Sequence, residues 1–163
     1  MDGTAVHLSW GRPPRYVSLV IPGLSIDGEG RFLVHGEPVT HERTLDVLWR
    51  GLEPAVGGGW LVRVGRESAT VAVDGTPYVV LGIAEGPAGV DLLLAGGSRE
   101  PLVPETLRVG RDGLLRASLA SGHPARFCRA AQIALGMLLS EDPSAPGGFR
   151  LSLFGKSWPL GAE

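Results

Sequence analysis

Most apolar positions fall in short alternating runs broken by glycine and proline, and only two stretches keep a helical period. In the first, Leu45, Leu48, Trp49 and Leu52 stand at i, i+3, i+4 and i+7, one face of a helix at 3.6 residues per turn. Glu42, Arg43, Asp46, Arg50 and Glu53 fall largely on the opposite face. The pattern predicts a helix with Thr40 as N-cap that ends at Pro54, because the residue before a proline is pushed out of the α region. The second stretch runs from about Ala125 to Ser140. Beyond Arg129 it is apolar on nearly every side, which calls for burial on most faces or cover by a partner. Gly136 disfavours this helix by about 1 kcal/mol relative to alanine, and close approach of another backbone is the expected compensation.

The alternating runs predict short strands. One is expected near the start, from Tyr16 to Ile21, before Pro22-Gly23. Around each helix the order of signals is the same. Ile26-Asp27-Gly28 aligns with Arg111-Asp112-Gly113 as a turn, since Asp accepts local backbone bonds and Gly tolerates positive φ. Strand-like runs follow, 31–34 and 114–119, and each is closed by Gly-x-Pro: Gly36-Glu37-Pro38 and Gly122-His123-Pro124. Arg43 and Arg129 both lie five residues beyond that proline. After each helix a Gly-rich connector leads to an aromatic-headed strand, 60–64 or 149–153, a tight turn, and a return strand from Ser68 or Ser157. Between the units, Ser68 to Val73, Tyr78 to Ile83 and Val90 to Leu94 also read as strands. The expectation is an α+β fold of two repeated strand–helix–hairpin units, with mainly antiparallel sheets and two main helices. The Gly/Pro connector 96–104 places a boundary between residues 1–95 and 96–163, as two units or as one compact domain.

Charge narrows the partners. Residues 1–82 carry seven Lys/Arg and nine Asp/Glu, and residues 83–163 carry eight of each. Neither half has the basic excess that a phosphate backbone or an anionic membrane needs, so no nucleic-acid partner is expected. The single cysteine, Cys128, excludes an internal disulfide and points to a reducing compartment. The opening residues lack the basic start and apolar run of a secretion signal, and no apolar run is long enough for a membrane span. These features together lead to a cytoplasmic protein as the expectation.

Several motifs approach a known chemistry and stop short. Gly155-Lys156-Ser157 resembles the end of a phosphate loop, but Arg150 stands where the first glycine is needed and Trp158-Pro159 follow where a helix must start. A hairpin turn is the expectation there. His41-Glu42 lacks the second histidine four residues on that would place two imidazoles on one metal. Gly28-x-Gly30 lacks the third glycine of a dinucleotide loop. No metal or cofactor is expected. Cys128, early in an apolar helix, reads as an inert core thiol. The remaining ligand-binding candidates are Arg43, Arg129 and Arg126, with His35 and His41 flanking the first Gly-x-Pro turn. Guanidinium groups favour planar anions.

The stretch from Ile26 to Val80 resembles a bacterial family named only as domain of unknown function 1285. The resemblance rests on the Asp27-Gly28 opening, Gly36-x-Pro38-Val39, and the helix with Leu45 and Leu48-Trp49. It continues through the Trp60-Leu61-Val62 strand and Val73-Asp74-Gly75-Thr76-Pro77-Tyr78-Val79, and the closing segment from Gly155 to Gly161 is also similar. The family tends to carry Arg two residues after the first proline, where this chain has Thr40; Arg126 holds that place in the second unit. Gly75 replaces an acidic residue. The resemblance implies two repeated α+β motifs and a link to signal transduction, with no established activity.

Three functional expectations follow. The first is a non-enzymatic module that binds a protein or an anionic small molecule. The second is a small-molecule enzyme with a site in the cleft between the repeats, drawing on His35, His41, Arg43 and Arg129. The third is a homodimer in which the apolar second helix is covered by its mate.

Overall fold

The computed structural model describes residues 23–163. The strand expected at 16–21 lies outside them. The fold is mixed α+β, dominated by short strands. The first half contains β1 (Leu24–Ile26), β2 (Phe32–Val34), β3 (Glu37–Pro38), α1 (Glu42–Gly51), β4 (Leu52–Pro54), β5 (Trp60–Val64) and β6 (Glu67–Val73). They form a six-stranded sheet in the order β3-β2-β1-β6-β5-β4. A meander follows: β7 (Val79–Gly86), β8 (Gly89–Leu94) and β9 (Arg99–Pro101). The second half contains β10 (Arg108–Val109), β11 (Leu115–Ser118), β12 (Pro124–Phe127), α2 (Arg129–Gly136), β13 (Leu139–Glu141), β14 (Phe149–Leu153), β15 (Lys156–Pro159) and β16 (Gly161–Ala162). Its strands form a seven-stranded sheet, β16-β10-β11-β12-β7-β8-β9, and a three-stranded one, β13-β14-β15. Among the described residues three pairings are parallel, β1 with β6, β10 with β16 and β12 with β7, and the rest are antiparallel.

Connectivity runs alike in the two halves: hairpin, helix, second hairpin, and a last strand parallel to the first. The register differs from the sequence expectation. Ile26 pairs with Phe32, and Val109 with Leu115. Gly30 donates its N–H to the carbonyl of Asp27, and Gly113 to that of Gly110, with φ of +76° and +77°. Glu29-Gly30 therefore matches Asp112-Gly113, two residues on from the alignment built on Asp27-Gly28. The turn is defined by where a left-handed residue is needed, and either glycine of Gly28-Glu29-Gly30 satisfies a sequence pattern.

Both helices are shorter than expected. His41 caps α1, its Nδ1 accepting the Thr44 amide at 3.4 Å, so Thr40 is not the cap. Leu52 leaves the helix to pair with Val62 and is half-buried, while Leu48 is buried. Residues 124–127 are not helical: they form β12 between β11 and β7, with Ala125 and Phe127 buried in the core. Their two-residue alternation buries more in a sheet than a helix start would, and tertiary pairing overrides helical propensity. At the other end Leu139 pairs with Leu151, closing α2 at Gly136. Among the described residues nothing outside the neighbouring turn of the helix lies within 4 Å of where a Gly136 Cβ would be, so none of them supplies the expected close backbone.

Two apolar cores result. Leu24, Ile26, Phe32, Leu48, Val62, Ala69 and Val71 form one, completed by Trp49 set edge-on to Phe32 at 4.7 Å. Val80, Leu92, Leu107, Phe127, Leu135, Leu151 and Leu160 anchor the other. Val80, Val90, Leu92 and Leu94, which precede the Gly/Pro connector 96–104, belong to this second core. The Gly155-Lys156-Ser157 segment forms the β14–β15 hairpin as expected. Phe154 and Gly155 have φ of +48° and +74°, the two left-handed residues of a tight I′ turn.

Candidate functional site at the junction of the two units

The β1–β2 loop of the first half rests on the second. A Cβ on Gly30 would run into Ala95 and Val79, and one on Gly96 would lie 2.7 Å from the Trp49 ring. Both glycines thus let the halves approach closely. Thr76, buried in the connecting segment, donates its hydroxyl to the Pro124 carbonyl at 2.6 Å and accepts the Tyr78 amide at 3.2 Å.

Arg126 is the sequence candidate that the fold brings to this junction. Strand alternation turns Ala125 and Phe127 into the second core and Arg126 out of it. Its Nη2 donates to the carbonyl oxygen of Asp27 at 3.2 Å, and the guanidinium lies against Gly28. Its Nε is buried without a partner. Among the described residues no ion pair includes Arg126; the Asp27 carboxylate is engaged by Arg31 at 2.8 Å.

An aromatic cluster that the sequence reading missed stands at the same junction. His123, in the β11–β12 turn, stacks on Tyr78 at 5.3 Å and meets Trp60 edge-on at 5.5 Å, while Trp60 and Tyr78 are 5.4 Å apart. Burial pushes the Tyr78 hydroxyl above its ordinary range, and the nearby charge of Glu100 adds to this. No spacing signal brings residues 60, 78 and 123 together; only the packing of one half on the other does.

The other candidates stay apart from Arg126. Arg43 and Arg129 are exposed, on separate helices. Counted from the helix starts, Arg43 is the second residue of α1 and Arg129 the first of α2. His35 is exposed in the β2–β3 turn at φ +51°, and the His41 ring is occupied as the α1 cap. Cys128 is half-buried at the start of α2, its Sγ 3.7 Å from the Leu81 carbonyl. Elsewhere a shallow groove of about 440 Å³ runs between the β7–β8 hairpin and β14, lined by Ile83, Glu85, Val90, Leu138, Leu153 and Phe154. None of the five candidates lines it. Among the described residues no group of His, Cys, Asp and Glu is placed to hold a metal ion, and no helix is long and apolar enough to cross a membrane.

No protein-family model matches the chain, and no curated protein matches it. Similar solved structures include a DUF1285 family protein from Silicibacter pomeroyi DSS-3, 16% identical, with a TM-score of 0.67 over 91% of this chain and 83% of that one. Another is a DUF1285 family protein from Shewanella baltica OS155, 13% identical, with a TM-score of 0.52 over 67% of this chain and 86% of that one. At these identities the likeness is one of architecture: the chain has a DUF1285-like fold.

Proposed function

We propose that the chain is a non-enzymatic binding module, built from two units of common descent, that takes a carboxylate-bearing small molecule at their junction. The observation that supports this reading is Arg126. Its guanidinium is half-buried, holds one neutral carbonyl and, among the described residues, leaves Nε unpartnered and has no counter-charge. A desolvated cation in that state gains from an anion, and the planar fork of arginine suits a carboxylate taken by two parallel bonds. A ligand held there touches both halves at once, the arrangement by which a regulatory module passes on its occupancy.

Thermal unfolding in the presence of small mono- and dicarboxylates tests the proposal. A ligand that binds the folded state alone raises the Tm in proportion to its saturation. The Tm of the parent chain is expected to rise with one class of carboxylate, the rise to vanish in Arg126→Gln, and to return only in part in Arg126→Lys. A rise that is unchanged in Arg126→Gln, or no rise with any carboxylate, overturns it.

A further inference from the structure

The outer face of α2 exposes large apolar side chains. Arg129, Ile133 and Met137 follow at i, i+4 and i+8, one row about 12 Å long at 1.5 Å per residue. Ile133 is 62% exposed and Met137 85%. Ala130 and Gly136 beside them are exposed too, so beyond Arg129 the row carries no polar side chain. Beyond Met137 the row runs into the groove through Leu138, where Phe154 stands 77% exposed on the far wall. The groove also carries Glu85. Among the described residues neither Glu85 nor Arg129 belongs to an ion pair.

This surface has a cation at one end, an apolar stretch in the middle and an anion at the other end. A twofold axis through its centre reverses one copy against the other, so each Arg129 meets the opposite Glu85 and the apolar middles coincide. That is the self-complementarity an isologous interface requires. We propose that a second copy of this chain covers the outer face of α2 and the adjoining groove. Gly136, the exposed last residue of α2, leaves room there for a helix of the second copy to approach.

Sedimentation equilibrium over a wide concentration range tests this, with thermal unfolding as the control for folding. The parent chain is expected to dimerise, and Ile133→Glu to stay monomeric with the Tm that the parent shows when diluted to monomer, because the position is exposed. Arg129→Glu and Glu85→Arg are each expected to weaken the dimer about tenfold or more, and the chain carrying both to regain it, since the charges then meet with signs exchanged. A monomeric parent chain overturns the proposal and leaves the face to another protein. A dimer indifferent to Ile133→Glu, or one that the double exchange does not restore, overturns it as well. None of these outcomes bears on Arg126, which lies on another surface.

Discussion

Gly30 closes the β1–β2 turn in the way Gly113 closes the β10–β11 turn. Each donates its N–H to the carbonyl three residues before it, and each sits at a φ near +77°. They differ in surroundings: a Cβ at 113 meets open space, whereas one at 30 meets Ala95 and Val79. Gly113→Ala should therefore lose only the left-handed strain, about 1–2 kcal/mol. Gly30→Ala should lose that and a further ~1–3 kcal/mol for overpacking the junction. Urea unfolding of both variants checks the difference; equal losses would mean that the loop does not bear on the second half.

The two cores give matched tests. Leu48→Ala and Leu135→Ala should each destabilise by about 2–5 kcal/mol, the sum of lost transfer energy and a residual cavity. Val47, on the exposed side of α1, should change stability by no more than about 0.5 kcal/mol when replaced by alanine. A large effect at Val47 would reverse the assigned faces.

Acid should weaken the fold through three aspartates. The Arg116 guanidinium, then the Leu114 amide, hold Asp112 far below the ordinary 3.8. At Asp27 burial works the other way, but the Arg31 amide and guanidinium and the Glu29 amide outweigh it. Asp142 is lowered by the Ser144 hydroxyl first, then by the Ser144 amide and Arg150, against some desolvation. Each folded pKa lies below its unfolded value, so this stability is complete above the unfolded value and is lost as pH falls toward the folded one. The urea midpoint should hold from pH 7 to about 5 and drop below about 4. Asp112→Asn should lower the midpoint at neutral pH and flatten the acid slope; a slope unchanged in all three Asn variants would contradict the assignment.

At the alkaline end the sign reverses. Burial first, then Glu100, raise Tyr78 above the ordinary 10.0, which favours its neutral form in the folded chain. The associated stability is present below the unfolded value and is lost as pH rises through the folded one. A spectrophotometric titration should show one tyrosine ionising late, and Tyr78→Phe should remove it. Tyrosine titration complete near pH 10 in the folded chain would mean that Tyr78 is solvated.

The sequence made the two helices, the hairpins and the antiparallel class readable because each has a local cause. The i, i+3, i+4 row around Leu48 sets one helix, and the Phe154-Gly155 pair sets a turn. What escaped it depends on distant partners. Residues 124–127 look helical until β7 and β11 supply neighbours on both sides. Arg43 and Arg129 looked equivalent because distance was counted from a proline, while counted from the helix starts they fall one position apart. Arg126 was among the candidates, but its contact with Asp27 spans ninety-nine positions, and no local pattern carries that. The cluster of Trp60, Tyr78 and His123 was invisible for the same reason.

The parallel pairing of β7 with β12 also bears on the order in which the chain can fold as it leaves the ribosome. The residues of the first core all lie between Leu24 and Val73, so it can begin to close while the rest is still being made. The β7–β8–β9 meander emerges next with its β7 edge bare, and the partner of that edge arrives only with residues 124–127. The second core then waits for Leu151 and Leu160, both fully buried. During that interval the nascent chain presents an open strand edge and an unfilled apolar face, the state in which a chaperone has most to protect.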